Sequence, residues 1–275
     1  MESTHQIENL CGGLIVEHIK ADASYDTRQI HVHNYHEFYF LVSGARQYFI
    51  EHTIYNVGPG ELVIVPKNQL HFTTKHLSSG YDRYVIYCSD EFIKPIRDLT
   101  TPAVFEKIFN SGCISFPVSQ SEKIKSLLSA MEKELATGDP YSYLLATGKL
   151  HEILTYALRH GTPKLYEAEK TAIRIQNVAR YISENYADSI TLNDAANMAY
   201  MDSSYFSRQF KKLTGFGFIE YLTQVRIKGA IQLLQSTSLS VNEISEKCGF
   251  TSANYFRDVF RKLYKMSPLE YRKNF

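Results

Sequence analysis

Residues 191–222, TLNDAANMAYMDSSYFSRQFKKLTGFGFIEYL, and residues 240–272, SVNEISEKCGFTSANYFRDVFRKLYKMSPLEYR, are two copies of one pattern. Ala196 aligns with Ser245 at an offset of 49, whereas Phe206 aligns with Phe256 at an offset of 50, so the second copy carries one extra residue between its two helices. Phe210/Phe260, Lys212/Lys262, Leu213/Leu263, Glu220/Glu270 and Tyr221/Tyr271 keep the later offset. Each copy predicts a short helix, a tight turn and a second helix opened by a capping residue: Asp202 in the first, Thr251 or Ser252 in the second. Phe206, Phe210 and Leu213 fall at i, i+4 and i+7, as do Phe256, Phe260 and Leu263, which predicts a buried stripe on each second helix.

The residues between those stripes face away from the core. They are Ser203, Ser204, Ser207, Arg208 and Lys211 in one copy and Asn254, Arg257, Asp258 and Arg261 in the other. Small polar and basic side chains on the outer face of a second helix are what a helix-turn-helix presents to base edges and phosphates. Between the copies, FIEYLTQVRIKGAIQLLQST (218–237) reads as one long amphipathic helix. Such a helix can hold two reading units about one DNA turn apart, ~34 Å, on one side of a duplex.

Charge separates this region from the rest. The whole chain of 275 residues has 30 Lys+Arg against 29 Asp+Glu, a near-neutral sum. Residues 1–169 carry 15 Lys+Arg and 20 Asp+Glu, a balance of −5; residues 170–275 carry 15 and 9, a balance of +6. All ten histidines lie in the acidic part. Such asymmetry suggests that one part meets a polyanion and the other does something else.

In the acidic part, RQIHVHNYHEFYFLVSG (28–44), RQYFIEHTIYNVGPG (46–60) and ELVIVPKNQLHF (61–72) are crowded with aromatic and β-branched residues and punctuated by Gly, Pro and Asn. They predict short strands of an antiparallel sandwich or barrel, with turns at Ser43-Gly44 and Gly58-Pro59-Gly60. After Phe116 the period changes: IKSLLSAMEKEL (124–135) and YLLATGKLHEILTYALRH (143–160) predict two amphipathic helices that pack on the barrel or form a dimer seam. His31, His33 and Glu37 share one parity, so an unbulged strand points all three to one face; His36, off that parity, is expected outward or at a bulge. With Gly60, Pro66 and His71 they resemble the two cupin motifs, although Asn68 stands where the second motif usually has glycine. His31, His33, Glu37 and His71 suit a divalent transition metal; the same residues also suit a metal-free cavity that hydrogen-bonds hydroxyls, which is the favoured reading, with no cofactor.

Four separated cysteines (Cys11, Cys88, Cys113, Cys248) without CxxC spacing argue against a disulfide framework or a zinc site and fit a reducing cytoplasm. No apolar run reaches the ~18–20 residues of a membrane span, the N-terminus is not a secretory signal, and no nucleophile–base pair or phosphate-cradling glycine loop points to an enzyme.

The stretch RIKGAIQLLQSTSLSVNEISEKCGFTSANYFRDVFRKLYKMSP (226–268) resembles the signature region of the AraC/XylS family of bacterial transcription regulators, with Ile244, Gly249-Phe250, Tyr255-Phe256, Phe260 and Ser267-Pro268 at the family's fixed positions. The resemblance covers residues ~170–275 strongly and ~10–160 as the family's effector domain. It implies an α+β two-domain protein. A cupin-like β-barrel (jelly roll) with two dimerisation helices fills 1–165, and an all-α domain with two helix-turn-helix motifs joined by a long helix fills 166–275. Implied partners are a double-stranded DNA operator, RNA polymerase, a small-molecule effector such as a carbohydrate, and a second copy bound through helices in 119–160. By position, Ser204, Ser207, Arg208, Asn254 and Arg257 are expected at base edges, with Asp258 beside them, while Lys211, Arg261 and Lys262 grip phosphate. Tyr200 replaces the usual turn glycine of the first unit. Effector contacts are expected from His33, Glu37, Tyr39, Arg46, His71 and Tyr84. The main reading is thus a cytoplasmic, ligand-responsive DNA-binding regulator, more an activator than a repressor. The alternative is a metal-dependent cupin enzyme fused to a DNA-binding domain.

Overall fold

The computed structural model describes residues 13–22, 30–31, 33–75, 80–109, 112–164 and 169–274. The chain divides into two compact units, one of Met1–Ile50 with Tyr55–Glu167, the other of Ala168–Phe275 with the short Glu51–Ile54 segment.

The first unit is built on two antiparallel sheets. Its strands are β1 (Leu14–Ala21), β2 (Ile30–His31), β3 (His36–Ser43), β4 (Arg46–Ile50), β5 (Thr53–Val57), β6 (Leu62–Val65), β7 (His71–Lys75), β8 (Tyr81–Cys88), β9 (Cys113–Ser115) and β10 (Thr162–Pro163). One sheet has the order β1-β8-β3-β6-β9-β10 and the other β2-β7-β4-β5. The predicted turns are there: Gly44 and Gly60 both adopt positive φ, and a Cβ on Gly44 would stand 2.6 Å from the Gly80 carbonyl oxygen. Asn68 also takes a positive φ of 61°, so its backbone does what the replaced glycine would do.

Both faces of the six-stranded sheet are covered, and the pleat sorts the residues between two cores. Tyr39, Leu41, Val63, Val65, Tyr81, Val85 and Tyr87 turn inward to meet Tyr48, Ile50 and Val57 of the other sheet. Phe38, Phe40, Leu62, Ile64, Tyr84 and Ile86 turn outward under helices. Those helices are α1 (Asp90–Leu99), α2 (Pro102–Phe109), α3 (Val118–Thr137) and α4 (Ser142–His160). The last two are the predicted amphipathic pair, each begun somewhat earlier; they bury Ile124, Leu128, Met131, Leu150, Ile153 and Leu154. The N-terminal part of α4 leaves Tyr143, Leu144 and Leu145 exposed, beside exposed Tyr141.

The second unit is all helical: α5 (Lys170–Glu184), α6 (Leu192–Met198), α7 (Ser203–Thr214), α8 (Phe218–Ser236), α9 (Val241–Lys247), α10 (Ala253–Tyr264) and α11 (Pro268–Asn274). The duplication is reproduced down to its caps. Thr191 and Ser240 open α6 and α9 with capping boxes closed by Asp194 and Glu243, at the offset of 49. Asp202 and Ser252 accept from the backbone N–H of Tyr205 and Tyr255, at the offset of 50. Ser252 is therefore the cap of α10, and Thr251 is the inserted residue. The long helix α8 runs 19 residues, about 28 Å at 1.5 Å per residue. Its first half packs Phe218 and Tyr221 against Phe206 and Phe210; its second half packs Ile227, Ala230, Ile231 and Leu234 with Phe256, Phe260 and Tyr271.

One detail of the stripe differs from expectation. Leu213 is only partly buried and Leu263 is 38% exposed, while Thr214 is fully buried and Tyr264 stacks on Phe260. The core-facing direction is turned toward i+8, at 80° around the helix, and away from i+7, at about −20°.

Candidate functional site

Two regions carry the chemistry. The first is the inward side of the sheets in the N-terminal unit. β3 delivers Glu37 and Tyr39, β4 delivers Arg46 and Tyr48, and β8 delivers Tyr81, Arg83 and Tyr87. Glu37, Arg46 and His71 are among the few buried ionisable residues of the chain.

His33 and His71 converge on Glu37. Each imidazole Nε2 lies 3.4 Å from Glu37 Oε2, and Tyr48 donates to the other carboxylate oxygen at 3.2 Å. Each Nδ1 sits on a backbone carbonyl, of Tyr35 for His33 (2.9 Å) and of Gln69 for His71 (3.0 Å). A carbonyl only accepts, so both Nδ1 atoms carry hydrogen, and in the neutral rings both Nε2 lone pairs face the carboxylate. A shared proton or a bound cation resolves that arrangement. Burial alone would push the Glu37 carboxyl up, but the two imidazoles outweigh it and hold the group well below the usual carboxylate range. The three ligand atoms lie within 4.8 Å of one another, the donor set of a two-histidine, one-carboxylate metal site with the carbonyl second partners that such histidines use.

The route to this cluster differs from the parity reading. His33 precedes β3 rather than lying on it, and reaches Glu37 by stacking on Tyr35 at 3.8 Å. The side chain of His31 lies outside the described residues, as does Cys11; the backbone of His31 pairs opposite His71. His36 is not outward in solvent: it is buried against Phe109, donates to Asp90 at 2.8 Å, and receives the Lys67 N–H. Tyr84 points to the sheet's other side, stacked on His18 at 4.0 Å, and so stands apart from the effector candidates. In its stead the inward face has Arg83, with Tyr48, Tyr81 and Tyr87, none of which sequence reasoning had selected. The signal was parity along β8: Tyr81, Arg83, Val85 and Tyr87 alternate with Tyr84 and Ile86.

The second region comprises the outer faces of α7 and α10. Ser204, Arg208, Lys211, Asn254, Asp258, Arg261 and Lys262 are exposed, and Ser203, Ser207 and Arg257 partly so. Three hydrogen bonds steady these faces. Ser203 donates to Asn193 Oδ1 at 2.6 Å, and Arg257 donates to Asn242 Oδ1 at 2.7 Å and to Asn254 Oδ1 at 3.0 Å. Asn193 and Asn242 occupy equivalent positions on α6 and α9, so in each unit the first helix tethers a side chain of the reading helix. Sequence reasoning missed both asparagines.

The turns between the paired helices need a left-handed residue. Tyr200 takes it at φ 55° and Gly249 at φ 75°. A Cβ on Gly249 would meet the Ala187 carbonyl oxygen at 2.4 Å, whereas Tyr200 is 82% exposed, its ring 5.7 Å from the Arg174 guanidinium carbon. The C-caps reverse the choice, with Gly215 at φ 83° and Lys265 at φ 57°.

Residues 13–154, more than half of the chain, match the AraC-like ligand binding domain, and residues 195–274 match a helix-turn-helix domain. The chain belongs to the AraC/XylS family. Among AraC-type relatives, the uncharacterized HTH-type transcriptional regulator YijO of Escherichia coli K12 is 35% identical over 41% of this chain and 40% of its own. The Msm operon regulatory protein of Streptococcus mutans is 27% identical over 86% of this chain and 83% of its own. The DNA-binding domain of AdpA, solved with a target DNA, is 31% identical over 37% of this chain and 91% of that one, with a TM-score of 0.36. The chain spans under half the length of the first two curated relatives it matches, 40% and 45%. The architecture of the family, a β-sheet domain followed by a helical helix-turn-helix domain, is the one described above. Among the described residues no helix is long and apolar enough to cross a membrane.

Proposed function

We propose that the protein is a ligand-responsive, sequence-specific DNA-binding transcriptional regulator, acting as an activator. Residues 1–165 form its sensor, a cupin-like barrel, and residues 166–275 its DNA-binding domain. The observation that carries this reading is the duplicated helix-turn-helix with two exposed polar and basic faces, in one chain with a β-domain whose inward side holds buried ionisable groups. Ser204, Ser207, Arg208, Asn254 and Arg257 meet base edges; Lys211, Arg261 and Lys262 meet phosphates. His33, Glu37, Tyr39, Arg46 and His71, joined by Arg83, hold the effector. A relative named as the lactose operon transcription activator of Staphylococcus xylosus supports a sugar-related effector and an activating role. The chain acts in the cytoplasm with RNA polymerase as its partner and has no catalytic role. Exposed Tyr141, Tyr143, Leu144 and Leu145 beside and on α4 support a homodimer through the helices within 119–160. Footprinting on DNA beside its own gene tests the reading: no sequence-preferring protection at low salt, with or without candidate effectors, rejects it.

The convergence of His33, Glu37 and His71 favours one second reading, a metal-dependent cupin-type enzyme joined to the DNA-binding unit. Stoichiometric metal in protein purified without chelator, lost in His33→Ala, supports it; metal-free protein removes it.

A further inference from the structure

The inward side of the β-domain holds two cations, Arg46 and Arg83, that make no ion pair among the described residues. Arg46 is buried at 3% exposure, and its guanidinium lies 3.6 Å from the centre of the Tyr81 ring. The Arg83 guanidinium lies 5.8 Å from that ring centre and 5.3 Å from the centre of Tyr39. Both charges therefore gather around one aromatic side chain. Among the described residues neither makes an ion pair, and the Nε–H of each is buried without a hydrogen-bond partner. The hydroxyls of Tyr39 and Tyr81, also buried, have none either. Four polar groups on three strands, β3, β4 and β8, are thus left unsatisfied in one neighbourhood.

Buried polar groups are otherwise paired, and a buried charge without a counter-charge is costly. Stacking on Tyr81 engages the face of the Arg46 guanidinium but satisfies none of its in-plane N–H donors. Water can fill a donor's need; it does not neutralise two like charges held together. Arg83 feels the field of Glu17, but among the described residues the two make no ion pair, and the Arg83 Nε–H stays without an acceptor. Glu37 is already engaged by His33, His71 and Tyr48. Among the described residues no group supplies the missing partner, and an anion from outside the chain would.

We infer that the effector is an anion, a small molecule bearing a carboxylate or a phosphate that is gripped by Arg46 and Arg83 and hydrogen-bonded by Tyr39 and Tyr81. This rests on the effector reading above and narrows it to a chemical class. The guanidinium forks match the flat carboxylate and the phosphate edge in the same way, so the two sources of charge are separated by experiment. Glu37 and Leu41, which is paired opposite Arg83, are four residues apart on β3, about 13 Å in an extended strand. A molecule whose charged end meets the arginines and whose hydroxyls reach toward Glu37 and its histidines fits that spacing, which is the form of a sugar acid or a sugar phosphate.

Calorimetric titration of the full chain with glucuronate, a glucose phosphate ester and glucose itself compares the three end groups on one hydroxylated ring. Thermal shifts with acetate and inorganic phosphate, at matched ionic strength in chloride, test the bare anions. At least one charged sugar should bind tenfold or more tighter than glucose, and Arg46→Gln or Arg83→Gln should each weaken it by about 10- to 100-fold. If the variants unfold, an anion-dependent rise in wild-type melting temperature that glucose does not produce carries the same weight. Glucose binding as tightly as its charged counterparts, or anion binding that survives both variants, overturns the inference while leaving the effector reading intact. No response to any anion overturns it as well. An anion that binds through both arginines yet never alters the DNA footprint overturns the effector reading and leaves the anion site standing.

Discussion

Replacing Gly249 by alanine should damage the second helix-turn-helix far more than the matching change, Tyr200→Gly, affects the first. At Gly249 the backbone is left-handed, φ 75°, which costs a residue with a Cβ about 1–2 kcal/mol. The stiffer unfolded chain of the alanine variant returns about 0.4–1 kcal/mol. The new Cβ would also stand 2.4 Å from the Ala187 carbonyl oxygen, 2.8 Å from its carbon and 3.0 Å from its Cα. Those are backbone atoms with little freedom to retreat, and overpacking of that kind costs about 1–3 kcal/mol. The net loss is about 2–4 kcal/mol. Tyr200→Gly removes a similar left-handed penalty but adds chain entropy of about 0.5–1 kcal/mol and gives up an exposed cation–π contact with Arg174. It should stay within about 0.5 kcal/mol of wild type. The chain has no tryptophan, so urea unfolding is followed by far-UV circular dichroism. With a slope of about 2 kcal/mol per molar, Gly249→Ala should lower the midpoint of the C-terminal transition by about 1–2 M. Equal and small shifts for the two variants would refute the claim that Gly249 is required by a close approach of backbone.

Three further outcomes are expected. Arg257→Ala should cost about 1–3 kcal/mol at a single operator base pair while leaving non-specific DNA binding and effector binding unchanged, as read by footprinting on a panel of operator variants. Lys211→Ala and Arg261→Ala, one change in each unit, should each flatten the plot of log affinity against log salt by about one unit, with little change in sequence preference. His36 titrates below its ordinary value because its burial outweighs the support of Asp90. Its contribution to stability is therefore present above the unfolded value, about 6.5, and is lost as pH falls through the folded one. His36→Gln should flatten the decline in urea midpoint between about pH 7 and pH 5, and an unchanged slope would remove that role.

The helical half was the more legible in the sequence because each of its signals is local. Cap residues, the 3.6-residue period and the change of offset from 49 to 50 are all visible within two short segments, and the observed cap at Ser252 then leaves Thr251 as the insertion. The turn of the core toward Thr214 and Tyr264 and the tethers from Asn193 and Asn242 lay beyond them. The β-domain was legible as strands but not as faces. YDRYVIYC on β8 is buried on both sides, so no polar–apolar alternation distinguishes Arg83 from Tyr84. Only the neighbouring sheet and helices decide which parity faces inward. His33 and Glu37 were grouped by a parity argument whose strand does not exist at His33, and His71 joined them through the cupin resemblance; stacking on Tyr35 supplies the geometry at His33 instead. Helices α1 and α2 went unread in part because Pro95 interrupts the first of them.

Arg257 is held by Asn242 and Asn254 before any base is present. If Arg257 meets guanine as proposed, reading DNA becomes an exchange of acceptors, guanine oxygen and nitrogen for two asparagine oxygens, rather than a gain of new bonds. At a wrong base the guanidinium has somewhere to return to, so a mismatch forfeits the contact without stranding a charge. Such a reader is forgiving. In that reading it would scan many sites with small penalties and leave discrimination to the sum of several positions across two units. Asn242→Ala takes away the refuge on α9, so the same arginine should become stricter, losing more at mismatched sites than at the preferred one.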